Sequence, residues 1–404
     1  MASDGPHDEM ADVPPSVSAA GPSASSTPAT APVTSDAASA YSVNAMSGYS
    51  VGLSVDTDDR DNDNDSSLGD MDTQSSTRSA TSSVYHFVEE FGRTFHKYKE
   101  GKYFMPNDEQ EQNRLDLQHA IAKHCLGGAL GLAPPNNTTD DVAAGGLTDT
   151  TEGVAAPPST GPDGPVSGGA HRVLDIGTGT GIWAIDYAEQ HPAADVLGTD
   201  LSPIQPEYVP PNCRFEIDDL DDDWAFSSAN KFDYIHGRYI VPFLKDVPGV
   251  IQKAYDHLQP GGYFELFEGP ILFHCVDDTL EGTTIKEWND LISAGVRKIG
   301  RDPLAALKLK QWMEAAGFQD IQEKRYALPI NPWPRGKENK LLGHMEMTNL
   351  LEVAHGATMT IFTKALGWSV EATEVFLTKV RQDLRDRRIH AYLPAIVIYG
   401  QKAP

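Results

Sequence analysis

Apolar and polar positions alternate in blocks along most of this chain. Residues 173–177 form a short apolar run that ends in glycine, and residues 182–188 follow with apolar positions at helical spacing. The block repeats. Apolar runs at 194–200, 213–220, 232–237 and 263–268 predict strands, and helical spacing at 247–258 predicts the helix between the last two. Strands alternating with helices at this pace predict a parallel sheet covered on both faces. Beyond it, helical sequence runs from about 283 to 316 and stops at Gly317. Two further strands are expected at 321–330 and 393–400, separated by an insertion of helical character over 337–390. An insertion placed before the last strand is expected near the ligand edge of such a sheet.

The pattern is absent from two segments. Over residues 1–84 large apolar side chains are few, and residues 1–80 hold 13 acids against 2 bases, which accounts for −11 of the chain's formal charge of −26. Such a segment buries too little apolar surface to offset its ordering entropy, so a disordered acidic tail is expected, one suited to contacting protein partners. Residues 133–170 carry Pro-Pro, Gly-Gly and Thr-Thr-Asp-Asp clusters with no basic residue before His171, and an outward-looping low-complexity insertion is expected there. Between them, residues 85–132 predict a folded N-terminal segment, with a helix beginning after Asn107 as N-cap and Gln110 three residues on. Residues 171–404 form the main domain. Asn136 and Asn137 both match glycosylation sequons and are expected to be unmodified.

Composition narrows the compartment and the partners. The tail has no basic and apolar leader pattern, and no run approaches a membrane span, so a cytoplasmic or nuclear protein without a membrane partner is expected. Cys125, Cys213 and Cys275 are scattered, which points to neither disulfides nor a metal site. The acidic balance argues against nucleic acid, and the one dense basic run, 381–388, is interrupted by Asp383 and Asp386.

The chemistry concentrates at residues 173–181, Val-Leu-Asp-Ile-Gly-Thr-Gly-Thr-Gly. A strand, a glycine turn and a helix start place bare backbone N–H groups against a ligand. A dinucleotide fingerprint needs its third glycine where this chain has Ile182, which weakens an NAD-dependent reading, and the Gly-Lys-Ser/Thr ending of a P-loop is missing. Asp-x-Gly-x-Gly-x-Gly resembles motif I of class I S-adenosylmethionine-dependent methyltransferases. Under that resemblance Gly177, Thr178, Gly179 and Gly181 cradle the methionine moiety and Asp175 helps orient its ammonium. Asp200, about 20 residues past the turn and followed by Leu201, is placed to accept the ribose hydroxyls, and Asp219 with Leu220 is placed at the adenine.

The resemblance extends over most of the folded sequence. Gly92-Arg-Thr-Phe-His-Lys-Tyr, Pro106-Asn-Asp-Glu and Arg114-Leu-Asp-Leu-Gln-His precede the sheet, and Gly198-Thr-Asp-Leu-Ser-Pro-Ile-Gln-Pro, Val209-Pro-Pro-Asn, Phe232-Asp-Tyr-Ile-His-Gly-Arg and Pro260-Gly-Gly-Tyr-Phe-Glu follow. With these words the chain resembles the fungal LaeA-like family of class I methyltransferases. The turn reads Gly-Thr-Gly-Thr-Gly where the protein that gives the family its name has Gly-Cys-Gly-Thr-Gly, which implies a paralogue. The resemblance implies a seven-stranded α/β sheet of Rossmann-like type whose two late strands form an antiparallel hairpin, and an N-terminal lid carrying Tyr98, Tyr103 and Arg114 over S-adenosylmethionine. It also implies methyl transfer to a small-molecule or protein acceptor, with a link to secondary metabolism or its regulation. The alternative is a subunit in which S-adenosylmethionine binding is regulatory and turnover small. Transfer from a sulfonium needs alignment more than a dedicated nucleophile, and a hydroxyl or amine acceptor needs a base. His236 and Glu268, at the ends of the fourth and fifth strands, are the candidates, and Arg238 is placed to pair with a carboxylate.

Overall fold

A computed structural model describes residues 53–56, 87–96, 99, 103–136, 170–227 and 230–404. Most of the expected tail, Tyr98, and residues 137–169 of the expected insertion lie outside the described residues.

The N-terminal segment opens on a hairpin, β1 (Phe87–Glu90) and β2 (Arg93–His96), and not on a helix. Helix α1 (Glu109–Cys125) follows. Its N-cap is Asp108, one residue beyond the Asn107 expected from sequence. The aspartate does more there than an amide can. One oxygen accepts from the Glu111 N–H at 3.0 Å, and the pair accepts the Arg93 guanidinium at 2.6 and 2.7 Å, so one side chain caps the helix and ties it to the hairpin.

The main domain then runs through β3 (Arg172–Ile176), α2 (Ile182–Gln190), β4 (Asp195–Asp200), β5 (Cys213–Ile217), β6 (Phe232–Arg238), α3 (Val247–His257) and β7 (Leu258–Glu268). A two-residue strand, β8 (His274–Cys275), precedes α4 (Thr284–Lys298) and α5 (Leu309–Ala316). The chain closes with β9 (Gln319–Pro329), α6 (Lys337–Thr360), a π-helical turn at Ile361–Leu366, α7 (Val370–Arg385) and β10 (Ala391–Gln401). The sheet order is β5-β4-β3-β6-β7-β10, with β9 on the far side of β10 and β8 at its N-terminal end. β3 to β7 are parallel, and β10 is antiparallel to both β7 and β9. The fold class read from sequence is therefore correct, with the two-residue β8 added to the seven expected strands.

The helical stretch expected from 283 to 316 is broken at Gly300, whose positive φ of 77° ends α4 and lets the chain turn back. Hydrophobic packing is divided by the sheet. One core, including Ile176, Ile235, Phe264 and Met313, lies under α3 and α5. Another, including Trp288, Phe362 and Leu377, joins α4, α6 and α7. The insertion before the last strand is thus a helical layer of its own, packed on α1 and β9 as well. Met359 and Phe362, in that insertion, are core residues.

Two boundaries differ from the sequence reading. Residues 53–56, inside the expected tail, pair with the segment before α6: Val55 bridges Pro334, and the Arg335 N–H donates to the Ser54 carbonyl at 2.7 Å. Residues 133–136, expected in the outward loop, are built in. Ala133 is fully buried, and Asn136 Nδ2 donates to the Tyr234 hydroxyl at 3.0 Å, which leaves that sequon nitrogen inside the protein.

Candidate active site

The parallel strands all present their C-terminal ends to one edge. The turn after β3 is left-handed at three glycines: φ is 66° at Gly177, 59° at Gly179 and 83° at Gly181. At Gly177 a Cβ would lie 2.4 Å from Ile240 Cγ2, and at Gly181 it would lie 2.4 Å from the Phe215 ring. Only glycine satisfies both the backbone angle and the space there. At Gly179 the nearest atom to a Cβ is Leu115 Cδ1 at 3.4 Å, so this position faces open room.

That room is a crevice of about 100 Å³ walled by Gly177, Gly179, Asp200, Asp219, Leu220 and Arg238, with Leu201 and Ile240 beside them. Asp200 accepts from the Gly179 N–H at 2.8 Å and the Ser202 N–H at 2.9 Å, and burial pushes its carboxyl up to about 6. Asp219 is buried, accepts from the Asp221 N–H at 3.0 Å, and is held by Lys99 at 2.7 Å. Lys99 comes from the N-terminal segment and also pairs with Asp222. Tyr103 and Leu115, from the expected lid segment over residues 85–132, line the crevice.

Arg238 lines the crevice as well. Burial holds its guanidinium below the ordinary value. No carboxylate among the described residues lies within ion-pair distance, and its hydrogen bond is to His119 Nδ1 at 3.1 Å. An arginine can only donate, so Nδ1 accepts and the imidazole proton sits on Nε2, which donates to Asp186 Oδ2 at 3.0 Å. Burial also lowers His119, consistent with a neutral ring.

The two residues expected to move protons do something else. His236 is buried, its Nδ1–H donates to Asp175 Oδ1 at 2.7 Å, and its ring stacks on Trp183 with centroids 3.7 Å apart. Asp175 Oδ2 takes the Thr178 hydroxyl at 2.5 Å. Asp175 thus holds both His236 and Thr178 beneath the turn, and neither Asp175 nor His236 lines the crevice. Glu268 is fully buried and accepts the Ile240 and Val241 N–H groups at 2.8 and 3.2 Å. It caps the short turn Val241–Phe243 and lines neither cavity. Sequence places both side chains at strand ends but does not reveal that they point into the sheet layers.

Arg114 is displaced from its expected role as well. It walls a second cavity of about 230 Å³, not the crevice. Its guanidinium grips Glu111 at 2.7 and 3.0 Å and donates to Asn349 Oδ1 at 2.8 Å. The second cavity is mainly apolar and aromatic, with Phe104, Phe273, Trp288, Ile292 and Leu350 among its buried walls. Three side chains, Tyr103, Tyr239 and Phe243, wall both spaces, and the Tyr103 and Phe243 rings pack with centroids 4.5 Å apart. Tyr239 holds a left-handed φ of 53°, a strained angle for a bulky residue, at this junction.

The sequence reading missed the polar wall contributed by α6. Glu346 and Asn349 line the larger cavity, and Glu346 is buried with its carboxyl pushed up to about 8 by desolvation. The polar residues three apart in a helical insertion were the available signal, but the pattern alone does not tell which face meets the sheet edge. Among the described residues no cluster of three or more potential ligands is arranged to hold a metal ion, and no helix is long and apolar enough to cross a membrane.

A family model described as a methyltransferase domain matches residues 137–323. Methyltransferase pytC of Aspergillus terreus is 36% identical over 335 residues, covering 82% of this chain and 93% of that protein. The secondary metabolism regulator laeA of Aspergillus fumigatus is 30% identical, covering 81% of this chain and 80% of that one. The protein-methionine methyltransferase laeA of Emericella nidulans is 30% identical, covering 79% and 77%. Among solved structures, a phosphoethanolamine N-methyltransferase 2 of Haemonchus contortus in complex with S-adenosyl-L-methionine aligns at 18% identity and a TM-score of 0.35, over 60% of this chain and 50% of that one.

Proposed function

We propose, for a chain that belongs to the LaeA-like family of S-adenosylmethionine-dependent methyltransferases, that the methyl acceptor is a small, largely apolar molecule bound in the cavity of about 230 Å³ beside the crevice. The supporting observation is the shared wall of Tyr103, Tyr239 and Phe243, which sets an interior apolar space directly against the glycine turn's crevice. Part of the wall, including Phe104, Phe273, Trp288, Ile292 and Leu350, is buried, which suits a small ligand better than a peptide segment of another protein.

The crevice suits the donor in chemistry as well as shape. Gly177 and Gly179 line the crevice, and the lack of a Cβ at Gly177 and Gly181 lets the turn pack against Ile240 and Phe215. In this reading Asp200 holds the ribose hydroxyls, Asp219 and Leu220 the adenine, and Arg238 the carboxylate of the methionine moiety, with His119 fixing the guanidinium plane. Bound there, S-adenosylmethionine supplies an electrophilic methyl on a sulfonium. The protein's residues align it and keep water out, an effect worth roughly 7–11 kcal/mol in well-oriented systems. Asp175 and His236 take part as positioning residues, holding the turn. The small-molecule acceptor fits a role in secondary metabolism, the field named for the Aspergillus regulators of the family.

The test is transfer of label from methyl-tritiated S-adenosylmethionine by the full-length protein, supplied with a fungal lysate containing both proteins and small molecules. Label in the organic extract supports this reading. Label confined to precipitated protein, or no S-adenosylhomocysteine formed while calorimetry shows the donor bound, contradicts it; the second outcome favours a regulatory subunit.

A further inference from the structure

The described residues contain four buried glutamates, and three have evident structural work. Glu111 pairs with Arg114 in the two-pronged arrangement already described. Glu265 accepts the Leu132 and Ala133 N–H groups and the Tyr234 hydroxyl, pinning the segment before the sheet. Glu268 caps the turn after β6. Glu346 caps nothing. One oxygen, Oε1, accepts from Asn349 Nδ2 at 3.1 Å, one helical turn along α6, and Oε2 has no hydrogen-bond partner among the described residues. Asn349 in turn accepts from Arg114 Nη1 at 2.8 Å, so Oε1 is tied into the contact between α1 and α6, and Oε2 is the oxygen this network leaves unengaged in the cavity wall.

Its position is equally specific. Glu346 lines the larger cavity, and the side chains facing it come from several elements. Arg114, whose charge Glu111 largely engages, and Cys125 come from α1, and Tyr239 comes from the end of β6. Glu346 and Tyr239 line the same cavity, and Tyr239 also walls the crevice, so the carboxyl shares its space with a residue of the junction. Besides Glu346, the ionisable wall groups among the described residues are Tyr103, Arg114 and Tyr239.

Building on the function proposed above, we infer that Glu346 receives the proton of the methyl acceptor, and that the acceptor is a phenol or enol whose ring lies in the aromatic part of the cavity with its hydroxyl on Glu346 Oε2. In the balanced step, the hydroxyl proton passes to Glu346 as the oxygen forms its bond to the methyl carbon. The carbon–sulfur bond breaks with its electron pair staying on sulfur, giving a methyl ether and S-adenosylhomocysteine, and Glu346 later releases the proton to water. Desolvation, which raises this carboxyl to about 8, matches its basicity to such a task near neutral pH.

The experiment needs neither turnover nor the natural acceptor. Fluorescence titration of the full-length wild-type protein without S-adenosylmethionine uses 2-naphthol as the probe, with naphthalene and 1-naphthylmethylamine as comparisons. Affinity for 2-naphthol is expected to rise about fivefold between about pH 6.5 and about pH 8.5 as the carboxyl ionises, because hydrogen bonds to a charged acceptor are roughly twice as strong as neutral ones. Naphthalene binding is expected to stay flat, and in Glu346→Gln the naphthol curve flattens while the calorimetric signal for S-adenosylmethionine persists. Equal, pH-independent binding of naphthalene and 2-naphthol to the wild type overturns the inference, as does tighter binding of the amine or no binding of any ring. Each wild-type result stands even if the variant fails to fold. Loss of donor binding in the wild type is a separate result, and it refutes the function proposed above.

Discussion

His236 and Asp175 occupy facing positions on adjacent parallel strands, and the imidazole Nδ1 lies 2.7 Å from the carboxylate directly beneath the glycine turn. Because Asp175 also holds Thr178, this one contact transmits the register of β3 and β6 to the turn. Replacing His236 with Ala removes a hydrogen bond to a charged group, worth about 1.5–3 kcal/mol, and a ring stack worth about 0.5–1.5 kcal/mol. Thermal unfolding is expected to show a lower Tm, and calorimetry weaker S-adenosylmethionine binding. His236→Asn keeps a donor near the Nδ1 position and recovers part of both. A variant that loses turnover with Tm and donor binding unchanged would instead mark His236 as a catalytic residue.

Gly179 separates blocking of the crevice from damage to the fold. Its Cβ position is roomy, with Leu115 Cδ1 at 3.4 Å, and its φ of 59° costs a side chain roughly 1–2 kcal/mol. Gly179→Val is expected to fold with a modestly lower Tm and to give no heat with S-adenosylmethionine. Calorimetry beside a circular-dichroism melt checks both halves, and undiminished donor heat in the folded variant counts against the crevice as the binding site.

Asp200 makes donor binding sensitive to acid. With its carboxyl raised to about 6, it takes up a proton as pH falls through that value and loses its capacity to accept two ribose hydroxyls. S-adenosylmethionine affinity is expected to be full above about pH 7 and to fall about tenfold by about pH 5, while Asp200→Asn binds weakly with no such inflection. A pH series of calorimetric titrations is the check; a flat wild-type profile goes against the assignment.

Glu268 gives a stability signature of the opposite sense to an ordinary ion-paired carboxylate. Its folded value of about 8 lies above the ordinary 4.5, so the folded state binds the proton more tightly and stability declines as pH rises between those values. Glu268→Gln keeps an acceptor for the Ile240 and Val241 N–H groups and carries no charge. The variant is expected to match the wild type near pH 5 and to have the higher Tm at pH 8.5. Equal melting curves at both values would contradict a neutral, capping Glu268.

The sheet and its binding edge were legible because their determinants are local. Alternating strand and helix periods, three glycines and acids after successive strands define the β3–β5 region, and Asp200 and Asp219 do line the crevice. The positions of His236 and Glu268 were also legible, but their roles were not, since a strand's period of two does not say whether its last side chain turns to the edge or into a layer. Arg114 faces the neighbouring cavity because α1 meets α6 there, a tertiary contact between residues 235 apart in sequence. Glu346 was hidden for the same reason. Tyr103 and Leu115 at the crevice and Lys99 at Asp219 are likewise tertiary contacts that periodicity does not reveal.

The most direct measurement is a crystal structure of the full-length protein with S-adenosylhomocysteine. The account expects the adenine at Asp219 and Leu220, the ribose on Asp200, the carboxylate on Arg238, and the sulfur facing the junction formed by Tyr103, Tyr239 and Phe243. A ligand lying elsewhere, or one whose sulfur turns away from that junction, would contradict it.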